Sequence, residues 1–292
     1  MRTLRDMVRY GASEFSRHGL VFGHGTDNAL DEALQLVLHA CHLDYSLPEV
    51  YLDCRLTKSE KRQILALFEQ RIVQRLPAPY LTGRAWFAGM EFEVTRDVLV
   101  PRSPFAELIL QQFDPWVQPD SVGRILDLCT GSGCIGIACA AQFPDAEVDL
   151  VDISRAALQV AGRNIERHHL LQRVHAIESD LFDTIPNDRR YDLILSNPPY
   201  VSRDEYAGLP PEYHHEPAIG LEAGEDGMDI VARILAGAGR YLAPGGIMIV
   251  EVGASVELLL KRFPDYPFMW LDFEHGGDGV FLLTREQLIE NQ

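Results

Sequence analysis

Apolar positions change their spacing along the chain, and the changes divide it. In the first stretch they recur at helical intervals: Ile64, Leu65, Phe68, Ile72 and Leu76 make one face of a helix. Thr57-Lys58-Ser59-Glu60 ahead of them is a capping-box pattern, and Pro77 and Pro79 end the run. A second amphipathic helix spans Asp27 to Cys41 with Leu30, Leu34, Val37 and Leu38 inward, and Leu4, Met7, Val8 and Phe15 mark a third. These predict a small helical domain over residues 1–80.

Over residues 81–102 the period shortens. Trp86-Phe87-Ala88-Gly89-Met90, then Phe92 and Val94, then Val98 and Val100, read as strands about a glycine-containing turn, a hairpin linker. Ser103-Pro104 opens a helix carrying Leu108, Ile109, Leu110 and Phe113 to Trp116. From residue 124, apolar strands alternate with helices. Strands are expected at Arg124–Leu128, Glu147–Val151, Val174–Glu178, Asp192–Ser196 and Ile247–Val252, with helices such as Ser154–His168 and Met228–Tyr241 between. That alternation predicts an α/β fold, a doubly wound parallel sheet, over residues 103–292. Phe268–Phe273 and Gly279–Thr284, joined through His275-Gly276-Gly277-Asp278, predict a C-terminal antiparallel hairpin.

Composition adds a constraint. The 292 residues are 47% hydrophobic and 24% charged, ordinary for a globular chain and too apolar for a disordered one. The 26 basic and 43 acidic residues leave a charge of −17. Residues 1–90 hold 11 basic and 10 acidic side chains, so the acidity belongs to the remainder. The balance argues against a broad phosphate-gripping surface and a DNA partner, since such surfaces need clustered positive charge. Eight carboxylates and no Lys or Arg fall between Asp204 and Asp229. They form either a solvated face or an acidic rim that attracts a basic partner.

No apolar run has the length of a signal peptide or a membrane span, so no membrane partner is expected. Cys41, Cys54, Cys129, Cys134 and Cys139 are odd in number and lack framework spacing, which fits reduced thiols in the cytoplasm. Cys129 and Cys134 read as small buried hydrophobes, and the adjacent His214-His215 point apart, so no metal site is expected.

The chemistry gathers at strand ends. Asp127-Leu128-Cys129-Thr130-Gly131-Ser132-Gly133-Cys134-Ile135-Gly136 leaves a strand and opens a helix with its glycines at GxGxxG spacing. Such a loop suits a nicotinamide cofactor, a flavin or S-adenosylmethionine. Asp152 ends the next strand, 19 residues after Gly133, where an acid can accept from both ribose hydroxyls. Asp180, beside Leu181 after the third strand, can accept from an adenine amine. The fourth strand ends in Ser196-Asn197-Pro198-Pro199-Tyr200. Proline has no N–H and stops the ladder, so the Pro198 carbonyl and the Asn197 side-chain carbonyl can converge on one NH2 group. Tyr200 offers a flat ring to pack against it. Glu251 is either an acid at the core edge or a contact near substrate, and Arg102 either neutralises a carboxylate or touches substrate.

On these motifs the chain resembles the HemK-type protein N(5)-glutamine methyltransferases. Val98-Leu99-Val100-Pro101-Arg102 resembles the family's linker signature, and Glu216-Pro217-Ala218-Ile219-Gly220-Leu221 with Gly224-Glu225-Asp226-Gly227 resembles the segment after its Asn-Pro-Pro-Tyr motif. Ser103-Pro104-Phe105-Ala106-Glu107-Leu108, Leu181 and the tail from Trp270 to Phe281 are similar to the PrmB branch, which modifies a glutamine of large-subunit ribosomal protein three. The resemblance implies a Rossmann-like seven-stranded methyltransferase sheet, a substrate-recognition role for the N-terminal helices, and S-adenosyl-L-methionine as methyl donor. It implies cofactor contacts from Asp127, Thr130, Gly131, Gly133, Asp152, Asp180, Leu181 and Asn197, and substrate contacts from Asn197, Pro198, Pro199 and Tyr200, with Asn197, Pro198 and Tyr200 catalytic. Three alternatives stay open: glutamine methylation of a release factor, adenine amino-methylation of nucleic acid through the same motif, and a non-catalytic binding module.

Overall fold

The computed structural model describes residues 1–274 and 276–291. Two compact units divide it. One is Met1–Ala85 with Pro210–His215; the other is Trp86–Leu209 with Glu216–Gln292.

The first unit is helical: α1 (Leu4–Arg17), α2 (Ala29–Ala40), α3 (Lys58–Gln74) and α4 (Ala78–Thr82). Thr57 and Glu60 form the capping box of α3, each accepting from the other's backbone N–H. Leu4, Met7, Val8, Phe15, Ala33, Leu36, Val37, Ile64 and Phe68 make its core. Two expected core positions face outward instead, Leu30 at 56% exposure and Leu65 at 39%. Arg71 is fully buried in their stead. Its Nε donates to Glu32 Oε1 at 2.6 Å, Nη1 to Glu212 Oε1 at 3.2 Å, and Nη2 to the Val21 carbonyl at 2.8 Å. Glu212 also accepts from Arg75 Nη1 and from Val21 N–H. The segment Pro210–His215, remote in sequence, thus belongs to the helical unit through a buried carboxylate.

A two-stranded hairpin follows, β1 (Arg84–Phe87) and β2 (Met90–Glu93). Val98 and Val100 are buried but lie outside any strand. Helix α5 (Phe105–Leu110) stops short of the expected Trp116, because Gln112 and Phe113 adopt left-handed backbone conformations.

The larger sheet has strands β3 (Arg124–Leu128), β4 (Glu147–Asp152), β5 (Val174–Glu178), β6 (Tyr191–Ser196), β7 (Leu242–Glu251), β8 (Met269–Trp270) and β9 (Val280–Thr284), in spatial order β5-β4-β3-β6-β7-β9-β8. The first five are parallel; β9 runs antiparallel to β7 and β8 antiparallel to β9. The expected tail hairpin is therefore present, although His275 of its connection lies outside the described residues. Side chains alternate across the sheet as the pleat requires. Ile125, Val148, Leu150, Leu193, Leu195 and Ile249 pack on one face with α6 (Cys134–Gln142) and α7 (Arg155–Arg167). Leu126, Leu128, Ile194, Met248 and Val250 pack on the other with α9 (Asp229–Tyr241). The chain order reverses between β3 and β6, and ligands of such sheets bind outside the carboxyl ends of the strands at that switch point.

Candidate active site

A cavity of about 410 Å³ opens there, within the size range of small-molecule sites. Thr130, Gly131, Asp152, Asp180, Leu181, Asn197, Pro198, Pro199 and Tyr200 all line it. Asp127 and Gly133 do not.

Those two shape the loop from beneath. Asp127 is fully buried; its Oδ2 accepts from Thr130 Oγ1 at 2.5 Å and from Gly136 N–H at 2.9 Å. It thereby pins the loop to the first turn of α6. Burial pushes its carboxyl up to about 7, against the opposing effect of these two hydrogen bonds. Gly133 caps α6 in a left-handed conformation, and a Cβ there would meet Ile137 and Leu150 at 3.0 and 3.1 Å. A Cβ at Gly136 would sit 2.1 Å from Leu150. Both glycines serve helix-to-strand packing. Gly131 is different: its φ of +56° favours glycine, and nothing lies within 4 Å of a Cβ placed there.

Asp152 Oδ2 accepts from Gly131 N–H at 2.9 Å and Oδ1 from Ser154 N–H at 2.8 Å. Each oxygen keeps a second lone pair for a ligand hydroxyl. Burial raises this carboxyl above its ordinary range. Asp180 is not a bare acceptor, because Arg233 Nη1 of α9 lies 2.8 Å from its Oδ1. Leu181 takes a left-handed conformation and walls the cavity beside it. Cys129, expected as a buried hydrophobe, is half-buried and lines the cavity, its backbone also left-handed.

Asn197 stands at the end of β6, and no other side chain or backbone group among the described residues is hydrogen-bonded to its side-chain amide. Tyr200 is held on three sides. Its hydroxyl donates to Glu251 Oε1 at 3.2 Å, its carbonyl accepts from Ser255 Oγ at 3.0 Å, and its ring leaves only 2.8 Å to a Cβ placed at Gly253. Arg102 makes a two-pronged pair with Glu216, Nη1 to Oε1 at 2.5 Å and Nη2 to Oε2 at 2.7 Å.

The eight-carboxylate stretch is not a free acidic rim. Glu212 and Glu216 are buried and paired, Glu222 pairs with Arg203, and Asp226 and Asp229 pair with Arg262. Glu205 bonds back to Ser202 at the head of a short helix, α8 (Arg203–Gly208). Glu222 and Asp229 nonetheless reach the cavity wall.

Three side chains contribute in ways that the motifs do not disclose. Asn164 on α7 is fully buried and donates to the carbonyls of Ser132 and Glu93, at 2.9 and 3.0 Å, tying the glycine loop to β2. Arg233 and Ser103 are the others. Each depends on a partner far away in sequence, and a buried Asn in an amphipathic helix is the one local signal.

The family model described as methyltransferase small domain matches residues 106–208. Over 99% of its length the chain is 48% identical to a ribosomal protein uL3 glutamine methyltransferase of Francisella tularensis, covering 92% of that protein. It is 49% identical over 99% of its length to the protein of the same name from Xanthomonas campestris, covering 93% of it. A third, from Bordetella pertussis, is 47% identical over 99% of the chain and 97% of the relative. The chain belongs to this family of glutamine methyltransferases. Among solved structures, the hMettl16 catalytic domain bound to a MAT2A 3′UTR hairpin superposes with a TM-score of 0.53 at 15% identity, over 94% of this chain and 89% of that one. That likeness is one of fold.

Proposed function

We infer that this protein transfers a methyl group from S-adenosyl-L-methionine to the side-chain amide nitrogen of a glutamine in ribosomal protein uL3. The family names support the reaction and the substrate. The observation that carries the site assignment is the uncommitted Asn197 amide on the cavity wall, next to a Pro198 carbonyl that no helix recruits.

The residues present suit the methyl donor. Open space at Gly131, the two partly occupied oxygens of Asp152, the Asp180 carboxylate and apolar Leu181 are a cradle for a ribose and a purine. When bound, S-adenosylmethionine supplies an activated methyl on a sulfonium. The chain's own work lies at the acceptor. An amide nitrogen is a poor nucleophile because its lone pair is delocalised. Asn197 Oδ1 and the Pro198 carbonyl accept the two amide hydrogens, and these fixed dipoles stabilise the positive charge that builds on nitrogen as it takes the methyl; one of those hydrogens then leaves as a proton to water. Alignment of the amide against the Tyr200 ring supplies the orientation term. The helical unit is assigned to recognition of the protein substrate. Labelled methyl transfer from S-adenosylmethionine into purified uL3, followed by peptide mapping, tests the reading; label in nucleic acid and none in uL3 would refute it.

A further inference from the structure

Glu251 ends β7 and is only 7% exposed, yet it lines the same cavity as Asn197. Its oxygens have separate partners. Oε1 accepts from the Tyr200 hydroxyl at 3.2 Å, and Oε2 accepts from Ser103 Oγ at 2.5 Å. Ser103 also accepts from Phe105 N–H at 3.2 Å, so the head of α5 fixes its hydroxyl. The carboxylate is the middle of a chain running from that helix to the motif tyrosine.

Packing does not explain a carboxylate here. Taking a carboxylate out of water is costly, and an apolar residue of similar size is commonly no worse for stability. What the carboxylate adds is direction. The Gly253 side backs the Tyr200 ring and Ser255 holds its carbonyl. A Cβ at Gly227 would also come within 2.4 Å of that carbonyl oxygen, so the backbone there is closely confined. The hydroxyl is the remaining degree of freedom, and Glu251 fixes it.

We propose that Glu251 is a positioning residue for methyl transfer: it holds the Tyr200 phenol through Oε1, while Ser103 holds its carboxylate through Oε2, so the ring stays flat against the amide gripped by Asn197 and Pro198. The assignment rests on the glutamine methyltransferase reading above. Glu251 acts through Tyr200 and takes no proton from the substrate.

The test uses the full chain with S-adenosylmethionine and uL3, and measures kcat, KM, cofactor Kd and melting temperature. Glu251→Ala and Tyr200→Phe should each lower kcat by about 10- to 100-fold, the scale of a misplaced reacting group, with cofactor Kd unchanged. The double variant should be no slower than the slower single one, because both remove the same contact. Glu251→Gln, which keeps a hydrogen-bonding group at the phenol, should recover most of kcat. Full kcat in either single variant, or effects that multiply in the double, would overturn the proposal. Where Glu251→Ala does not fold, Ser103→Ala replaces it: it should slow the wild-type enzyme and be silent beside Tyr200→Phe, and an equal effect in both backgrounds would overturn the proposal. Wild-type protein that methylates no uL3 would instead refute the underlying reading, a distinct failure.

Discussion

Arg233 Nη1 lies 2.8 Å from Asp180 Oδ1, so the carboxylate proposed to meet the adenine amine is already held by a cation. Both side chains are close to half exposed, and an exposed pair contributes at most about 1 kcal/mol. Arg233→Ala should therefore weaken cofactor binding by no more than about fivefold. Asp180→Ala removes the acceptor itself and should cost about tenfold or more. Titration calorimetry with S-adenosylmethionine distinguishes the two; equal losses would mean that the arginine, not the acid, meets the ligand.

Asp127 gives stability a pH signature. Burial holds its folded-state carboxyl near 7, above the ordinary 3.8. Between those values the native state binds the extra proton, so this group's contribution to stability falls as pH rises towards about 7 and is level beyond it. Asp127→Asn mimics the protonated form and lacks that slope. Melting curves should show the variant gaining on the wild type as pH rises from about 4 to about 7. A constant difference across that range would show that the carboxyl is not raised.

The buried Arg71 should be indispensable to the helical unit. Its removal leaves Glu32 as an uncompensated buried charge and Glu212 with Arg75 as its one remaining cation among the described residues. Arg71→Ala should cost about 3–5 kcal/mol in denaturant unfolding of the full chain. A loss below about 1 kcal/mol, the surface-pair range, would contradict the burial.

How far the residues alone disclosed this arrangement depends on the range of the interaction involved. The inner parallel strands were legible because both faces are buried and each carries a short apolar run, whereas β5, at the sheet edge, is mostly exposed. Gly131 and Asn197 were legible because each sits within a contiguous motif, and Asp152 because it ends the strand that follows the glycine loop. Arg71 was not, since helical periodicity places charges outside, and its burial depends on Glu32 and on Glu212, 141 positions later. The same periodicity places Leu30 and Leu65 inward, and both lie outside. Spacing also cannot separate a ligand-facing glycine from a packing one: Gly131 lines the cavity, whereas Gly133 and Gly136 are crowded by Leu150.

Charge steering of a basic substrate is weaker than the count of eight carboxylates suggests, because Glu212, Glu216, Glu222, Asp226 and Asp229 already have arginine partners. Neutralising the exposed Asp204 and Glu225 together should change kcat/KM for uL3 by less than about tenfold, below the range of strong steering. A larger fall that disappears at high salt would restore the acidic-rim account.

Asn197 is proposed to stabilise charge on the acceptor amide, and single-turnover methyl transfer to uL3 by Asn197→Ala, with cofactor affinity measured on the same sample, isolates that role. The rate should drop by about 10²–10³ while cofactor Kd stays within a few-fold of wild type. An undiminished rate, or a loss accounted for by cofactor binding alone, would contradict it.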